Sequence, residues 1–188
     1  FHLGSFEAKG NFLAENFIGR IGNIFVPADR YLYLEKFLNE LFPEIYRKQK
    51  ENNKILSTHE VAREVGLLVE KNEHTSEKHQ ESFLYWAATN KIPVFCPGIN
   101  DGAIGDISTF FKRNNKDFAI DITEDNKLLT SMLMNEEKTA SLILGGGISK
   151  HFLLNAAIFR DGFEYSIYLT TAAEFDGSDS GGNQEEAI

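Results

Sequence analysis

The feature that most constrains this chain is an apolar run that ends in three consecutive glycines. Residues 140–144 are apolar apart from one serine, and Gly145–Gly147 follow directly. A segment with helical periodicity comes next, and then a second apolar run at 164–169. Short strands that alternate with helices of about ten to fifteen residues are typical of βαβ units, in which the strands are parallel. The sequence therefore predicts an α/β fold.

Further segments extend this pattern along the chain. Apolar runs predict three more strands, at 20–26, 92–96 and 117–122. Apolar residues at helical spacing predict helices at 29–50 with Asp29 as N-cap, from Ser57 or Thr58 onward, at 83–88, at 124–138, and from the triple glycine through Arg160. We expect one domain over residues 1–188, with a Rossmann-like open parallel sheet and helices on both of its faces.

Composition narrows the range of functions. The formal net charge is −9, which argues against nucleic-acid binding because phosphate contacts require an excess of Lys and Arg. A cationic ligand or a basic partner fits this charge better. Cys96 is the single cysteine, so a disulfide within the chain is excluded, and we expect a reducing compartment such as the cytoplasm and a buried structural thiol. No apolar run approaches the ~20 residues of a membrane span.

Four loops follow the predicted strands, and they point to a binding site. In an open parallel sheet, ligands bind beyond the carboxyl ends of the strands. The loops at those ends are PGINDGAIGD (97–106), ITED (122–125), GGGISKH (145–151) and TTAAEFDGSDSGG (170–182). All but the second combine glycine with a carboxylate, a hydroxyl or a histidine, so we expect a site where they meet.

Each candidate residue also has a purely structural explanation. Gly145–Gly147 would let backbone N–H groups approach a phosphate at a helix N-terminus, but they do not match GxGxxG, and a tight turn stays possible. Asp101 and Asp106 are functional carboxylates or, alternatively, an N-cap and a first-turn acid. His151 lies near the start of a helix, whose dipole disfavours the charged imidazole. It is either a general base or a merely packed or solvated side chain.

The remaining polar segments give weaker signals. Asp176–Gly181 alternates acidic, serine and glycine residues, which is typical of a solvated tail. However, it follows an apolar strand directly and has Phe175 before it, so a binding loop is the other possibility. His59, His74 and His79 are predicted to be surface residues. HExxH and CxxC spacings are absent from the sequence, and we therefore predict no metal site.

The loop sequences taken together resemble those of deoxyhypusine synthase. The GSDSG element combined with GGGxxKH is the most specific part of this resemblance. It covers nearly the whole chain and is least diagnostic at 44–80. The segments that carry it are GNFLAENFIGRIGNIFVP (10–27), FCPGINDGAIGD (95–106), DFAIDITED (117–125), LILGGGISKHFLLNA (142–156) and YLTTAAEFDGSDSGG (168–182).

The resemblance implies a transferase. The family transfers the aminobutyl group of spermidine to one lysine of the precursor of the hypusine-containing translation factor. NAD accepts a hydride from the polyamine, and the resulting imine passes to an enzyme lysine and then to the substrate lysine. Active members are tetramers with sites between paired subunits, so the implied partners include further copies or a related chain.

The resemblance also assigns roles to individual positions. It implies that His151 is the general base, because an ammonium must lose a proton before it can release hydride. The implied NAD contacts are Asp101, Gly146, Thr171 and Ala172, with Asp176, Ser178 and Ser180 close to the cofactor. The implied polyamine pocket comprises Asp106, His151, Asn155, Tyr168, Gly177, Ser178, Asp179 and Glu186.

Two departures from the family pattern leave the activity of this chain open. In the family, a Ser-Trp-Gly-Lys element carries the nucleophilic lysine and follows the positions that match 186–188. No lysine of this sequence matches that nucleophile, and Lys150, beside His151, is not its equivalent. The chain also starts about halfway into the family pattern. It is therefore either part of an active synthase or an inactive regulatory subunit that pairs with a complete paralogue. An NAD-binding hydrolase ranks last, because no nucleophile–base pair can be named.

Overall fold

The structure is a computed structural model that describes residues 2–175 and residue 181, and its fold is mixed α/β. Two short 3₁₀ helices, at Ser76–Glu81 and Ile158–Arg160, supplement the regular elements. The strands are β1 (His2–Leu3), β2 (Ile18–Ile21), β3 (Ile24–Pro27), β4 (Leu56–Ser57), β5 (Ile120–Asp121), β6 (Ala140–Leu144) and β7 (Tyr165–Leu169). The helices are α1 (Gly10–Glu15), α2 (Ala28–Asn52), α3 (Thr58–Lys71), α4 (Phe83–Thr89), α5 (Ala103–Asn114), α6 (Ile122–Asn135) and α7 (Ile148–Ala157).

The first three strands form an antiparallel sheet in the order β1-β3-β2. The prediction of one strand over 20–26 was wrong, because Gly22 and Asn23 form a turn between β2 and β3. Gly22 adopts φ +60°, a left-handed conformation that glycine reaches without a steric penalty. The chain therefore folds back on itself within the predicted strand.

The remaining strands form two separate parallel pairs. β6 and β7 pair from Ala140 with Tyr165 to Leu144 with Leu169, which confirms the predicted parallel unit around α7. β4 pairs with β5 alone, so the predicted strand at 117–122 is shortened to two residues. The described strands thus form three small sheets rather than the single open sheet that we predicted.

The predicted strand at 92–96 was also wrong. Within the described residues this segment joins no sheet. Pro93 lacks a backbone N–H group, which disfavours a central strand position. Near the end of the segment, the Cys96 backbone N–H donates to Thr58 Oγ1 at 2.9 Å, a side-chain acceptor instead of a neighbouring strand.

Local side-chain capping explains where two of the helices, α3 and α6, begin. Ser57 and Glu60 form a reciprocal capping box at the start of α3, which confirms one of the two predicted caps. Asp121 accepts hydrogen bonds from the backbone of Thr123 (2.8 Å) and Glu124 (3.2 Å), and the hydrogen bond from the Thr123 side chain is the main cause of its lowered pKa. Residues 122–125 are therefore a helical turn rather than the predicted loop. In α2, Pro27 takes the N-cap position, so the prediction for Asp29 was wrong.

Two hydrophobic clusters hold the elements together. The first centres on α2, where Leu38, Leu41, Phe42 and Ile45 are almost fully buried and pack with Phe118 and others. The second lies between α6, α7 and the segment before β7. Its buried members are Leu129, Leu133, Ala156, Ala157 and Phe163. This second cluster fixes the position of α7, which carries the main candidate site residue.

One face of the β6–β7 pair is apolar and open. Leu142 and Ile167 are opposite each other and are 63% and 64% exposed, whereas Ile143 on the other face is 5% exposed. Leu144 and Leu169 extend the same exposed surface. Parallel sheets in proteins are normally covered on both faces. Within the described residues, only the face that carries Ile143 is covered. None of the described helices is both long and apolar enough to cross a membrane.

Candidate functional site

A cavity of about 630 Å³ lies between α6 and α7 and includes two predicted site residues, His151 and Asn155. Both side chains lie on one face of α7, as expected for residues four positions apart. The other lining residues are Pro97, Asn126, Lys127, Thr130, Ser131, Ile148, Phe152, Ala156 and Phe159. The cavity therefore combines an apolar lining with hydroxyl, amide, imidazole and ammonium groups.

The imidazole of His151 contacts the amide of Asn155. The distance between His151 Nδ1 and Asn155 Nδ2 is 3.0 Å, which is a hydrogen bond whose direction depends on the tautomer of the ring. Both residues are exposed, so a molecule in the cavity can reach them. This pair is the most reactive group of side chains in the cavity lining, because an imidazole exchanges protons near neutral pH.

The glycine loop that precedes α7 is open. Gly145 and Gly147 have φ values of +83° and +76°, and a Cβ atom built on either would meet no atom within 4 Å. Gly147 is the N-cap of α7, where no side chain of the described residues supplies a capping hydrogen bond. Among the described residues, the first-turn N–H groups of α7 therefore have no side-chain acceptor at the N-cap position. Such a cradle fits a phosphate group of a dinucleotide.

Several predicted loops meet at this end of the sheet. The Gly145 N–H donates to the carbonyl of Leu169 at 2.8 Å, which places the end of β7 beside the glycine loop. A Cβ atom built on Gly98 would lie 3.6 Å from the Ile148 side chain, so loop 97–106 also reaches the start of α7. Buried Lys150 donates to the carbonyl of Gly181 at 2.5 Å. Gly181, the described residue of the GSDSGG segment, is therefore hydrogen-bonded to the residue that precedes His151 in the chain.

The other described candidate residues are not among those that line the cavity. Asp101 and Asp106 are exposed at the start of α5, and Asp106 occupies the first turn of that helix. A Cβ atom on Gly105 would lie 2.5 Å from the carbonyl oxygen of Asn100, so α5 packs closely against the loop that carries Asp101. Tyr168 packs with the second hydrophobic cluster.

Thr171, Ala172 and Gly146 occupy the loops that follow β7 and β6. The Ala172 N–H donates to Thr170 Oγ1 at 3.1 Å, which makes the first residues after β7 a turn. Six predicted residues lie outside the described part of the chain: Asp176, Gly177, Ser178, Asp179, Ser180 and Glu186.

Comparison with known proteins identifies the family. The sequence profile of deoxyhypusine synthase matches residues 1–188. This chain belongs to the deoxyhypusine synthase family. A probable deoxyhypusine synthase of Methanocaldococcus jannaschii is 45% identical over 190 residues, which cover 100% of this chain and 57% of the relative. A deoxyhypusine synthase of Arabidopsis thaliana is 35% identical over 187 residues, covering 98% and 49%. The chain thus spans about half the length of these curated relatives of the family.

This member of the deoxyhypusine synthase family also contains a buried carboxylate that the sequence did not reveal. Asp125 on α6 is 3% exposed and accepts hydrogen bonds from the backbone N–H groups of Thr58 (3.0 Å) and His59 (3.2 Å). The His59 Nδ1 atom lies 2.7 Å from the same carboxylate and 2.7 Å from Ser57 Oγ. Asp125 therefore caps the N-terminus of α3 from a different helix.

This cluster overturns two predictions. The His59 side chain is only 18% exposed and is not the surface residue that we predicted. Cys96 is exposed rather than buried, although partial burial of its thiol, followed by the nearby charge of Asp125, raises its pKa above the ordinary value. A capping side chain that is distant in sequence leaves no local signal, which explains why the prediction for His59 failed. His74 is exposed as predicted, whereas His79 is partly buried against Tyr85.

The α6 side of the cavity was likewise missed. Asn126, Lys127, Thr130 and Ser131 line it, and all four belong to a segment that the sequence identified only as a helix. Lys127 Nζ donates to the Glu124 carboxylate at 2.9 and 3.0 Å, so its charge is partly balanced on α6 itself. Only the packing of α6 against α7 makes these residues part of a site in this family member.

Proposed function

We propose that this chain supplies the NAD- and spermidine-binding part of a deoxyhypusine synthase. That enzyme transfers the aminobutyl group of spermidine to a specific lysine of the hypusine-containing translation factor precursor. The observation that carries the proposal is the cavity in which His151 and Asn155 meet beside the open glycine loop, in a chain that the family profile matches over residues 1–188.

The glycine loop is the proposed site of the NAD phosphates. The backbone at Gly146 and the N-terminus of α7, which has no side-chain cap within the described residues, would offer N–H donors to a pyrophosphate. We assign further NAD contacts to Asp101, Thr171, Ala172, Asp176, Ser178 and Ser180, of which the last three lie outside the described residues. When bound there, NAD supplies the hydride acceptor of the reaction.

Spermidine is a polycation, and the proposed pocket has the complementary charge. The chain carries a net charge of −9, and Asp106 presents an exposed carboxylate at the start of α5. We assign Asp179 and Glu186 to the same role, with Gly177, Ser178, Asn155 and Tyr168 as neighbours in the pocket. A carboxylate in a partly desolvated slot attracts an ammonium group more strongly than one in bulk water.

His151 is the proposed general base. Loss of hydride from a carbon next to an ammonium would place two positive charges side by side, so the nitrogen must first become neutral. An imidazole is the side chain suited to accept that proton near pH 7, and His151 lines the cavity. The proposed role is therefore removal of one proton from the secondary amine of spermidine before oxidation.

The transfer step requires a lysine nucleophile with a lowered pKa. We therefore propose the complete reaction for a cytoplasmic homo- or hetero-tetramer that contains such a lysine. The alternative is an inactive regulatory subunit that activates a complete paralogue.

One assay separates these two possibilities. The purified protein is incubated with NAD, radiolabelled spermidine and the translation factor precursor, with and without a complete paralogue. Label on the precursor without the paralogue supports the synthase. The regulatory subunit is supported if the protein by itself transfers no label to the precursor but accelerates the reaction when the paralogue is present. No effect in either mixture contradicts both proposals.

The carboxylate of Asp106 should matter more for spermidine than for NAD. We expect Asp106→Ala to raise the apparent spermidine constant about tenfold, because one ion pair with the polyamine is lost. The matched control is Asp101→Ala, another exposed aspartate of the same loop, which should instead weaken NAD binding. Steady-state kinetics of NADH formation measures both constants. The reverse pattern would show that the two subsites are interchanged.

We further propose that the two parallel strand pairs belong to one Rossmann-like open sheet in the assembled enzyme. The exposed apolar face around Leu142 motivates this, because a parallel sheet is normally covered on both faces. We expect Leu142→Lys to reduce assembly, measured by size-exclusion chromatography with light scattering, while Leu32→Lys, at an exposed leucine of α2, should not. Normal assembly of the Leu142→Lys variant would contradict a covered face.

A further inference from the structure

The amide of Asn155 engages one particular nitrogen of the His151 ring. The two residues are four positions apart on α7, and Asn155 Nδ2 lies 3.0 Å from His151 Nδ1. Both line the cavity between α6 and α7. The two ring nitrogens therefore differ, because Nδ1 contacts the amide of Asn155 and Nε2 does not.

The chemistry of the two groups permits two arrangements. A neutral imidazole carries its proton on one nitrogen and accepts a hydrogen bond at the other. With Nδ2 toward the ring, Asn155 donates to an unprotonated Nδ1, and the ring proton is on Nε2. If the amide turns by half a rotation, Oδ1 accepts from Nδ1–H, and the lone pair of Nε2 is free. Asn155 satisfies Nδ1 in both arrangements, so Nε2 is the nitrogen left for a molecule in the cavity.

We propose that Asn155 is a positioning residue that confines proton uptake by His151 to Nε2 and that this uptake requires Oδ1 of the amide to face the ring. This proposal rests on the base role assigned to His151 above. The proton leaves the ammonium of the polyamine and binds Nε2, and the amine nitrogen keeps the electron pair. The resulting imidazolium carries hydrogen on both nitrogens, so only the carbonyl oxygen of the amide can then contact Nδ1.

Among the described residues, two lysines are the charged groups to consider near this pair. On α7, Lys150 is buried and bonded to the Gly181 carbonyl. On α6, Lys127 lines the same cavity and is paired with Glu124. Apart from Lys127 and His151 itself, the described residues that line the cavity have side chains that carry no charge. Among the described residues that line the cavity, the tautomer of His151 is therefore governed chiefly by its direct partner Asn155.

The test uses ¹⁵N NMR of the imidazole nitrogens, with the His151 signals identified by their loss in His151→Gln. Asn155→Asp offers only acceptor oxygens, so the neutral ring should shift to the tautomer with protonated Nδ1 and free Nε2. The carboxylate also stabilises the imidazolium, and we expect the titration midpoint of these signals to rise by about one pH unit or more. Asn155→Leu removes the hydrogen-bond partner of Nδ1. We expect the ratio of the two His151 tautomers in this variant to differ from the ratio in the unaltered protein.

Asn126→Asp is the matched control, because it places the same charge in the same cavity without the contact to Nδ1. It should shift the midpoint less than Asn155→Asp and leave the tautomer unchanged. Identical His151 signals in the unaltered protein, Asn155→Asp and Asn155→Leu would overturn the inference. These measurements need neither NAD nor spermidine. If the tautomer responds but His151→Ala leaves spermidine-dependent NADH formation intact, the base role fails while the positioning contact stands.

Discussion

Replacement of His151 by alanine is expected to lower spermidine-dependent NADH formation about 10²-fold or more. A positioned general base contributes roughly 10²–10⁴-fold to proton transfer, and His151 is the imidazole in the lining of the cavity. The affinity for NAD should change little, because the proposed phosphate cradle consists of backbone groups around Gly146. The defect should therefore be in the rate constant of polyamine oxidation.

The pH dependence distinguishes loss of a base from general damage. An alkyl ammonium loses its proton in water near pH ~10, so the deficit of His151→Ala should shrink as the pH approaches that value. His74→Ala is the control, because His74 is an exposed histidine outside the cavity lining. An unchanged rate in His151→Ala would remove the residue from the base role. A deficit that stays constant at all pH values would indicate a structural effect instead.

Replacement of Asp125 by alanine is expected to destabilise the fold by about 3 kcal/mol. The carboxylate is 3% exposed and accepts hydrogen bonds from Thr58 N, His59 N and His59 Nδ1. Its removal leaves the first N–H groups of α3 and a mostly buried imidazole without their acceptor. Unsatisfied buried donors cost about 1–3 kcal/mol each, and breaking a buried pair typically costs roughly 3–5 kcal/mol.

Urea unfolding followed by circular dichroism measures this loss. The control is Glu124→Ala, which removes the neighbouring carboxylate of α6. Glu124 forms a more exposed pair with Lys127, so its loss should cost at most about 0.5 kcal/mol. Because the Asp125 cluster also contacts the backbone around Cys96 through Thr58, we expect faster alkylation of Cys96 in the Asp125→Ala variant. Equal stability of the two variants would contradict the capping role of Asp125.

The β6–α7–β7 unit shows where sequence patterns are reliable. The strand over 140–144 was predicted with the same bounds, and the parallel pairing with β7 followed from the helix between the two strands. The glycine loop and the reach of loop 97–106 to the start of α7 also agree with the predicted meeting of loops. Short-range spacing encodes these features, because strand, turn and helix preferences act over a few residues.

The errors arose where residues distant in the chain decide the structure. The segment 92–96 has an apolar strand pattern, yet its backbone bonds to the side chain of Thr58 rather than to a strand. His59 has a polar sequence context, but a carboxylate 66 positions away buries and binds it. The cavity lining from α6 is another case, since the helical pattern alone does not tell which face of α6 meets α7.

The sequence by itself determined the family, the approximate positions of α2, α3, α4, α6 and α7, the parallel unit around α7 and the placement of His151 and Asn155 one helical turn apart. Its motifs are contiguous, and caps and periodicity are local properties of the chain. Only the tertiary structure decided that Asp125 caps α3, that Cys96 is exposed, that one face of β6–β7 is open and that Asn155 contacts Nδ1 of His151. Those features depend on packing between elements and on side-chain rotamers, and a pattern of residue types specifies neither.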